Sequence, residues 1–338
     1  MNLVIKMSSY YGTDLNETDV QVLKSLEEEI GEKIPFLLKL QSNSFGFSVK
    51  NEHVNGLGLF SKRLFALPTA ITDLKKLEIL DLTSNRLETL PKEIENLKNL
   101  KILIISRNED FTHFPDSLGT LTKLKEIHAD NCQIVSLPTS IGSLKKLKIL
   151  DLSFNNLVEL PETLSDEKTA KTLEIDEKEL KKQNLGSLSV LEELNLKKNN
   201  IVVLPVFLGT IISLKKIDFE YNELNKLPET FKFLKNLEVL NLGFNKFTHF
   251  PQDLLVFNKL KILFLHSNEI NDIPKEISDL KQLEELFLAA NHLKNFPKTI
   301  ANLKKLKKLI YHFNQFPPKK QPPKYIKILM ENGCEISR

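Results

Sequence analysis

The sequence predicts an α/β solenoid in which each of about twelve similar coils gives one short strand to a parallel sheet and returns through a helical or 3-10 turn. Three observations carry this. Leucines recur in a fixed pattern with a step of 23 residues, ten of the fifteen prolines fall at one place in that pattern, and asparagine recurs at another. A unit of this length cannot bury its apolar side alone, so the coils must stack and the two ends must be capped.

Set on Leu77, the template has leucine at positions 1, 4 and 6, asparagine at 9, leucine at 11 and 14, proline at 15, and apolar residues at 18 and 21. Coils begin at Val54, Leu77, Leu100, Leu124, Leu147, Leu191, Leu214, Leu237, Leu260, Leu283 and Leu306. The alternation around positions 4 and 6 reads as a strand whose leucines point inward and whose positions 3, 5 and 7 point outward. Asparagine 9 follows the strand, where the chain turns and leaves backbone groups unpaired. Its carboxamide both donates and accepts, so stacked copies predict a hydrogen-bonded ladder. The exceptions at position 9 are Lys62, Cys132 and Lys178. Proline 15 fixes φ near −65° and lacks an N–H, which suits the first position of a short helical turn.

Residues 1–53 are expected to form an N-terminal cap. Thr18 and Gln21 read as a capping box opening a helix over about 18–30, with Val20, Leu23, Leu26 and Ile30 as its apolar stripe and Gly31 as its stop. Phe45, Phe47 and Val49 predict a strand over about 45–50, followed by a turn at Asn51, Glu52 and His53. The repeats occupy 54–316, with a degenerate unit at about 165–190 that keeps Ala170, Leu173, Ile175 and Leu180 but loses its proline and asparagine. A linker that splits the array is the alternative there. Residues 317–338 form the C-terminal cap, where Tyr325, Ile326, Ile328 and Leu329 predict a covering helix.

Composition limits the function classes. The 47 basic and 44 acidic residues leave a net charge of +3, which does not call for nucleic acid or a membrane surface. Lysines recur before the strands, but glutamates such as Glu78, Glu192, Glu238 and Glu284 interrupt them. Cys132 and Cys334 cannot make a disulfide framework, which suits a reducing compartment and hence the cytoplasm. Neither a signal peptide nor an apolar run of about 20 residues occurs, so no transmembrane segment is expected.

Chemistry-bearing motifs are missing: no Gly-rich phosphate loop, no paired cysteines at metal spacing, no nucleophile elbow. His128 beside Asp130 and Asp151 is the nearest approach to a base with an orienting carboxylate. On an open sheet it has no pocket that excludes water. His266 and His312 share position 7 without a third ligand. The expectation is therefore no enzyme, no metal and no cofactor.

The outward positions supply the candidate site. Position 5 runs through Asp81, Ile104, His128, Asp151, Asp218 and Asn241 to Phe264, Phe287 and Ile310, and Phe244, Ile262, His266, His312 and Phe313 lie beside the last of these. An aromatic patch at outward positions marks a contact surface. Asp151, Asp218 and Glu220, with Asp130, Glu174 and Asp176, make the stretch before it acidic and imply a protein partner that is basic and partly apolar. The aromatics at position 8, Phe154, Tyr221, Phe244 and Phe313, have a plainer reading as covers for neighbouring coils. Strands about 4.8 Å apart give an arc on the order of 50 Å, a span suited to a protein rather than a metabolite.

The unit from Leu77 to Asn99 resembles the intracellular leucine-rich repeat class of Ras-pathway scaffolds, the Scribble and Erbin polarity proteins and plant Ras-group relatives. The resemblance implies a leucine-rich repeat solenoid, a horseshoe with its sheet on the concave face. It further implies a scaffold or adaptor, plausibly in small-GTPase signalling, acting as a monomer. The alternative is a regulatory or substrate-recognition subunit for a phosphatase or ubiquitin ligase acting in trans. The residues that carry the resemblance are structural and name no partner.

Overall fold

The computed structural model describes residues 7–10, 12–161, 188–317 and 321–337 and divides the chain into two compact units, residues 1–156 and 157–338. The degenerate unit expected at about 165–190, with Glu174, Asp176 and Lys178, falls almost wholly outside the described residues.

The first unit opens with a hairpin of β1 (Met7–Tyr10) and β2 (Thr13–Asn16) and a helix, α1 (Glu17–Ile30). The helix starts earlier than the capping-box reading places it. Asn16 is the N-cap, and its side chain accepts the Thr18 N–H at 3.0 Å. Asparagine is the stronger cap, and starting there puts Glu17 and Asp19 in the first turn, at the positive end of the helix dipole. Gly31 ends the helix at φ 73°. Leu23 and Leu26 are fully buried, whereas Ile30 is only half-buried. Asp19 is buried too. It accepts the Val54 N–H at 2.8 Å and lies 3.2 Å from His53 Nδ1, which ties the helix to the first coil.

The strands β3 (Phe45–Lys50) and β4 (His53–Leu59) pair antiparallel through a turn in which Asn51 and Glu52 both take positive φ. From β4 the sheet is parallel through β5 (Ile79–Asp81), β6 (Ile102–Ile104), β7 (Glu126–His128) and β8 (Ile149–Asp151).

The second unit repeats the arrangement. Its parallel strands are β9 (Glu193–Asn195), β10 (Lys216–Asp218), β11 (Val239–Asn241), β12 (Ile262–Phe264), β13 (Glu285–Phe287), β14 (Lys308–Ile310) and β15 (Glu335–Ser337). A helix, α2 (Lys324–Glu331), covers the last coil with Ile326 and Leu329, each 1% exposed. The edge strand β15 is absent from the sequence prediction because Glu335, Ile336 and Ser337 lie outside the repeat pattern.

Among the described residues, the coils before the last return through five-residue 3-10 turns, such as Lys92–Asn96 and Glu229–Phe233. The proline stands one place earlier than expected, as the cap before the turn. Its extended backbone offers a carbonyl to the residue three later, as Pro91 does to the Ile94 N–H at 3.1 Å. Template leucines such as Leu80, Leu82 and Leu240 are fully buried, each contributing roughly 1.5–3 kcal/mol.

The asparagine ladder forms as the pattern requires. Asn268 Nδ2 donates to the carbonyls of Leu242 at 2.9 Å and Leu265 at 3.2 Å, and its Oδ1 accepts the Phe247 N–H at 3.0 Å. One side chain thus joins its own coil to the preceding one at two points, Leu242 and Phe247, and closes its own turn through Leu265. The residue before it adopts the left-handed conformation in coil after coil, as in Ser84, Tyr221, Phe244 and Phe313 with φ between 50° and 58°. Cys132 departs from the ladder without a gap. Its thiol donates to the Ile105 carbonyl, and the Phe111 N–H that an asparagine would serve is taken by the Asn108 carbonyl at 3.0 Å. The extra residue in the coil starting at Leu100 makes that local bond possible.

Candidate partner-binding face

Most of the candidate residues fall on the outward face of the second unit. Parallel pairing sets Asn241, Phe264, Phe287, Ile310 and Ser337 side by side on β11 to β15. Phe264 and Phe287 stack with centroids 4.3 Å apart and planes 17° from parallel. Both are half-buried, as are Ile310 and Ile262, and Ile262 pairs in register with Glu285. A second stack lies at position 8, where Tyr221 and Phe244 are 3.9 Å apart and 11° from parallel, 44% and 37% exposed. Phe313 is 82% exposed and meets His312 edge-on, while His312 Nδ1 lies 3.3 Å from the Ser337 hydroxyl on β15.

The position 8 aromatics carry a backbone cost. A bulky residue at positive φ is strained by about 1–2 kcal/mol, and burial does not offset it for Phe313. The reading of these rings as covers for neighbouring coils therefore holds poorly at Phe313, the most exposed of them.

The acidic members behave differently from one another. Glu220 is 8% exposed and lies between the Lys197 ammonium, with which it forms an ion pair, and His266 Nε2 at 3.2 Å. Glu220 in turn holds the Lys197 ammonium above the ordinary lysine range. Asp218 accepts the Glu220 N–H at 2.9 Å and the Asn241 amide at 3.2 Å, and burial pushes its carboxyl up. Asp151 belongs to the first unit, where it accepts both the N–H and the hydroxyl of Ser153. In the second unit the expected acidic character is thus largely internal, and it organises the face.

Three strand-edge lysines of the second unit are paired as well. Lys215 meets Glu192 at 2.7 Å, Lys261 meets Glu238 at 2.6 Å and Lys307 meets Glu284 at 2.5 Å. These exposed pairs add little stability, but they neutralise the rail that a polyanion would need. The sheet register places His128 beside Asp151, as expected, but its ring lies 3.4 Å from Glu126, while Asp130 accepts from Ser106 and Asn131 and Asp151 from Ser153. Among the described residues no three metal-ligating side chains converge, and no helix is long and apolar enough to cross a membrane.

Sequence reasoning missed two contributors. Gly243 sits at position 7 of its coil, where a Cβ would come within 2.4 Å of the His266 ring. The signal was present as a glycine in a row that otherwise holds Lys197, Glu220, His266, Ala289 and His312. Ser337 carries no repeat signal at all.

A stack of 23-residue coils with an asparagine ladder and outward aromatics defines a repeat-type recognition fold. Comparison with protein families agrees: residues 38–133 match the leucine-rich repeat region, 146–166 the leucine-rich repeat, and 189–247, 212–270 and 236–293 a further leucine-rich repeat family. The chain belongs to the leucine-rich repeat proteins. No curated protein matches the sequence significantly. Among solved structures, a leucine-rich repeat protein of Leptospira interrogans is similar at 27% identity, with 83% of each chain covered and a TM-score of 0.52. An internalin from Listeria monocytogenes shares the fold at 19% identity and a TM-score of 0.62, over 98% of this chain and 91% of that one. The Drosophila Toll–Spätzle complex shares it at 24% identity and 0.63, over 82% of this chain and 35% of that one.

Proposed function

We propose that the protein is a non-catalytic scaffold or adaptor that holds a protein partner on the outward face of its second unit. The observation that carries this is the stacked Phe264–Phe287 pair on a face directed away from the core, with Ile310 beside it. Aromatic anchors of this kind supply most of the energy in protein interfaces, and proteins of this family mediate such contacts. The resemblance of the 23-residue unit to Ras-pathway scaffolds makes a small GTPase the first partner class to test. A regulatory role for a phosphatase or ubiquitin ligase in trans is the second. Cytoplasmic residence is supported by two free, buried thiols, Cys132 pushed up to about 12 and Cys334 to about 11 by burial, which leaves both protonated.

Photocrosslinking tests the face directly. With Phe287→p-benzoylphenylalanine, a protein adduct is expected in cells, and the same substitution at Lys298 on a return turn gives none. Equal adducts from both sites, or none from Phe287, contradict the assignment. Loading the cells' GTPases with a non-hydrolysable nucleotide raises the yield only if the partner is of that class.

A further inference from the structure

We propose that Tyr221, Phe244, His266, Phe264 and Phe287 form one preorganised aromatic platform keyed by His266, whose position depends on Gly243 and Glu220. The two stacks described above are separate pairs, and the His266 ring joins them. It meets Phe244 edge-on at 5.2 Å and 87°, and Phe264 at 6.1 Å and 76°. Five rings on coils β10 to β13 therefore touch in series.

His266 reaches this place by crossing a strand. Its Nε2–H donates to Glu220, on the coil of β10, although His266 belongs to that of β12. The intervening coil of β11 offers Gly243 at the equivalent position, and the ring lies directly over it. An ideal Cβ there would stand 2.4 Å from Cε1 and 2.8 Å from Nδ1, so any other residue would lift the imidazole out of the series. Nδ1 is buried against this backbone without a hydrogen-bond partner among the described residues. The position is thus maintained by packing and by the one bond to Glu220, which Lys197 holds from the far side.

His266 is in these terms a positioning residue. Its contribution to binding rests on the reading of the preceding subsection, where the partner is a protein. Rings already fixed in their bound arrangement lose less freedom on association. The platform itself can be tested without a partner, so failure here and failure of partner capture are separate results. The groups against His266 are Glu220 on the β10 coil, itself paired with Lys197 on the β9 coil, Gly243 and Phe244 on the β11 coil and Phe264 on its own.

The full-length protein with 13C-labelled Phe and His rings is studied by NMR. The expected result is that the His266 ring gives cross-peaks with both the Phe244 and the Phe264 rings. Glu220→Ala, which removes the one bond to Nε2, weakens both sets of cross-peaks. Gly243→Ala abolishes the ring-to-ring cross-peaks of His266 with both phenylalanines. If that variant does not fold, His266→Ala serves instead, and Phe244 and Phe264 ring signals are expected to lose their ring-current shifts. Absence of these cross-peaks from the wild type overturns the proposal, as do cross-peaks that survive Gly243→Ala or ring shifts unchanged in His266→Ala.

Discussion

Replacing Asn268 by alanine isolates the energetics of the ladder. The side chain is 7% exposed and makes four bonds, from Nδ2 to the Leu242, Leu265 and His266 carbonyls and to Oδ1 from the Phe247 N–H. Alanine leaves that N–H buried without a partner, at about 1–3 kcal/mol, while the Leu242 carbonyl keeps the Asn245 amide at 3.2 Å and the Leu265 carbonyl keeps the Asn291 amide at 2.9 Å. With about 0.5–1.5 kcal/mol more for the bonds lost to these carbonyls, the expected loss is about 2–4 kcal/mol. Cys132→Ala is the matched control at the same place in another coil. There two weak thiol contacts of 3.4 and 3.7 Å are lost, the Ile105 carbonyl keeps the Asn108 amide at 2.7 Å, the Asp130 carbonyl keeps the Arg107 N–H, and the Phe111 N–H keeps its own partner. The loss should stay near about 1 kcal/mol, the scale of deleting a small buried group. Cys132→Asn should gain less than about 1 kcal/mol, since its Oδ1 finds no free N–H. Urea unfolding followed by circular dichroism measures all three. Equal losses at Asn268 and Cys132 would refute the claim that the ladder is a bonding device whose need is set coil by coil.

Further outcomes follow from single sites. Gly209→Ala should cost about 1–3 kcal/mol by overpacking, because its Cβ would stand 2.1 Å from the Thr230 carbonyl oxygen of the next return turn; a neutral result in thermal unfolding contradicts that contact. Burial holds the Asp19 carboxyl above its ordinary 3.8 against the opposing Val54 and His53 bonds. Its native form therefore binds the proton more tightly than the unfolded chain does, and its stabilising contribution is complete below the unfolded pKa and lost as pH rises through the native one. Asp19→Asn should accordingly gain on the wild type as unfolding is measured from about pH 3 to about pH 6, and a fall over that range would mean the bonds outweigh burial. The exposed ladder of Glu192, Glu238 and Glu284 with its lysines should leave stability within about 1 kcal/mol between low and high salt.

The fold was legible because it is periodic. Leucine spacing alone places β5 to β8 and, in the second unit, β9 to β14 on their registers, and Asn268 and its equivalents announce their own bonds. What broke the period was harder to read. Asn16 displaced Thr18 as the helix cap because both are capping residues two apart and local sequence ranks them weakly. The strand β15 contains no repeat residue and forms because the last coil presents an open parallel edge. At the candidate face, position counting located Phe264, Phe287 and Ile310 correctly on outward positions of neighbouring strands. It could not show that Glu220 is buried, because that depends on His266 reaching across Gly243 from another coil. Pair partners 46 residues apart are set by stacking geometry, not by any local pattern.

Partner binding by purified protein tests the central claim most directly. Phe264→Ser with Phe287→Ser removes two stacked, half-buried rings and should cost little stability, since outward rings contribute less than core ones. Wild type and double variant are matched for unfolding midpoint and used to capture proteins from the same lysate, and the protein retained by the wild type is then titrated against both by calorimetry. Two anchor residues at about 2 kcal/mol or more apiece predict a Kd weakened roughly 100-fold or beyond. A partner that binds both forms with the same affinity would contradict the assignment of this face.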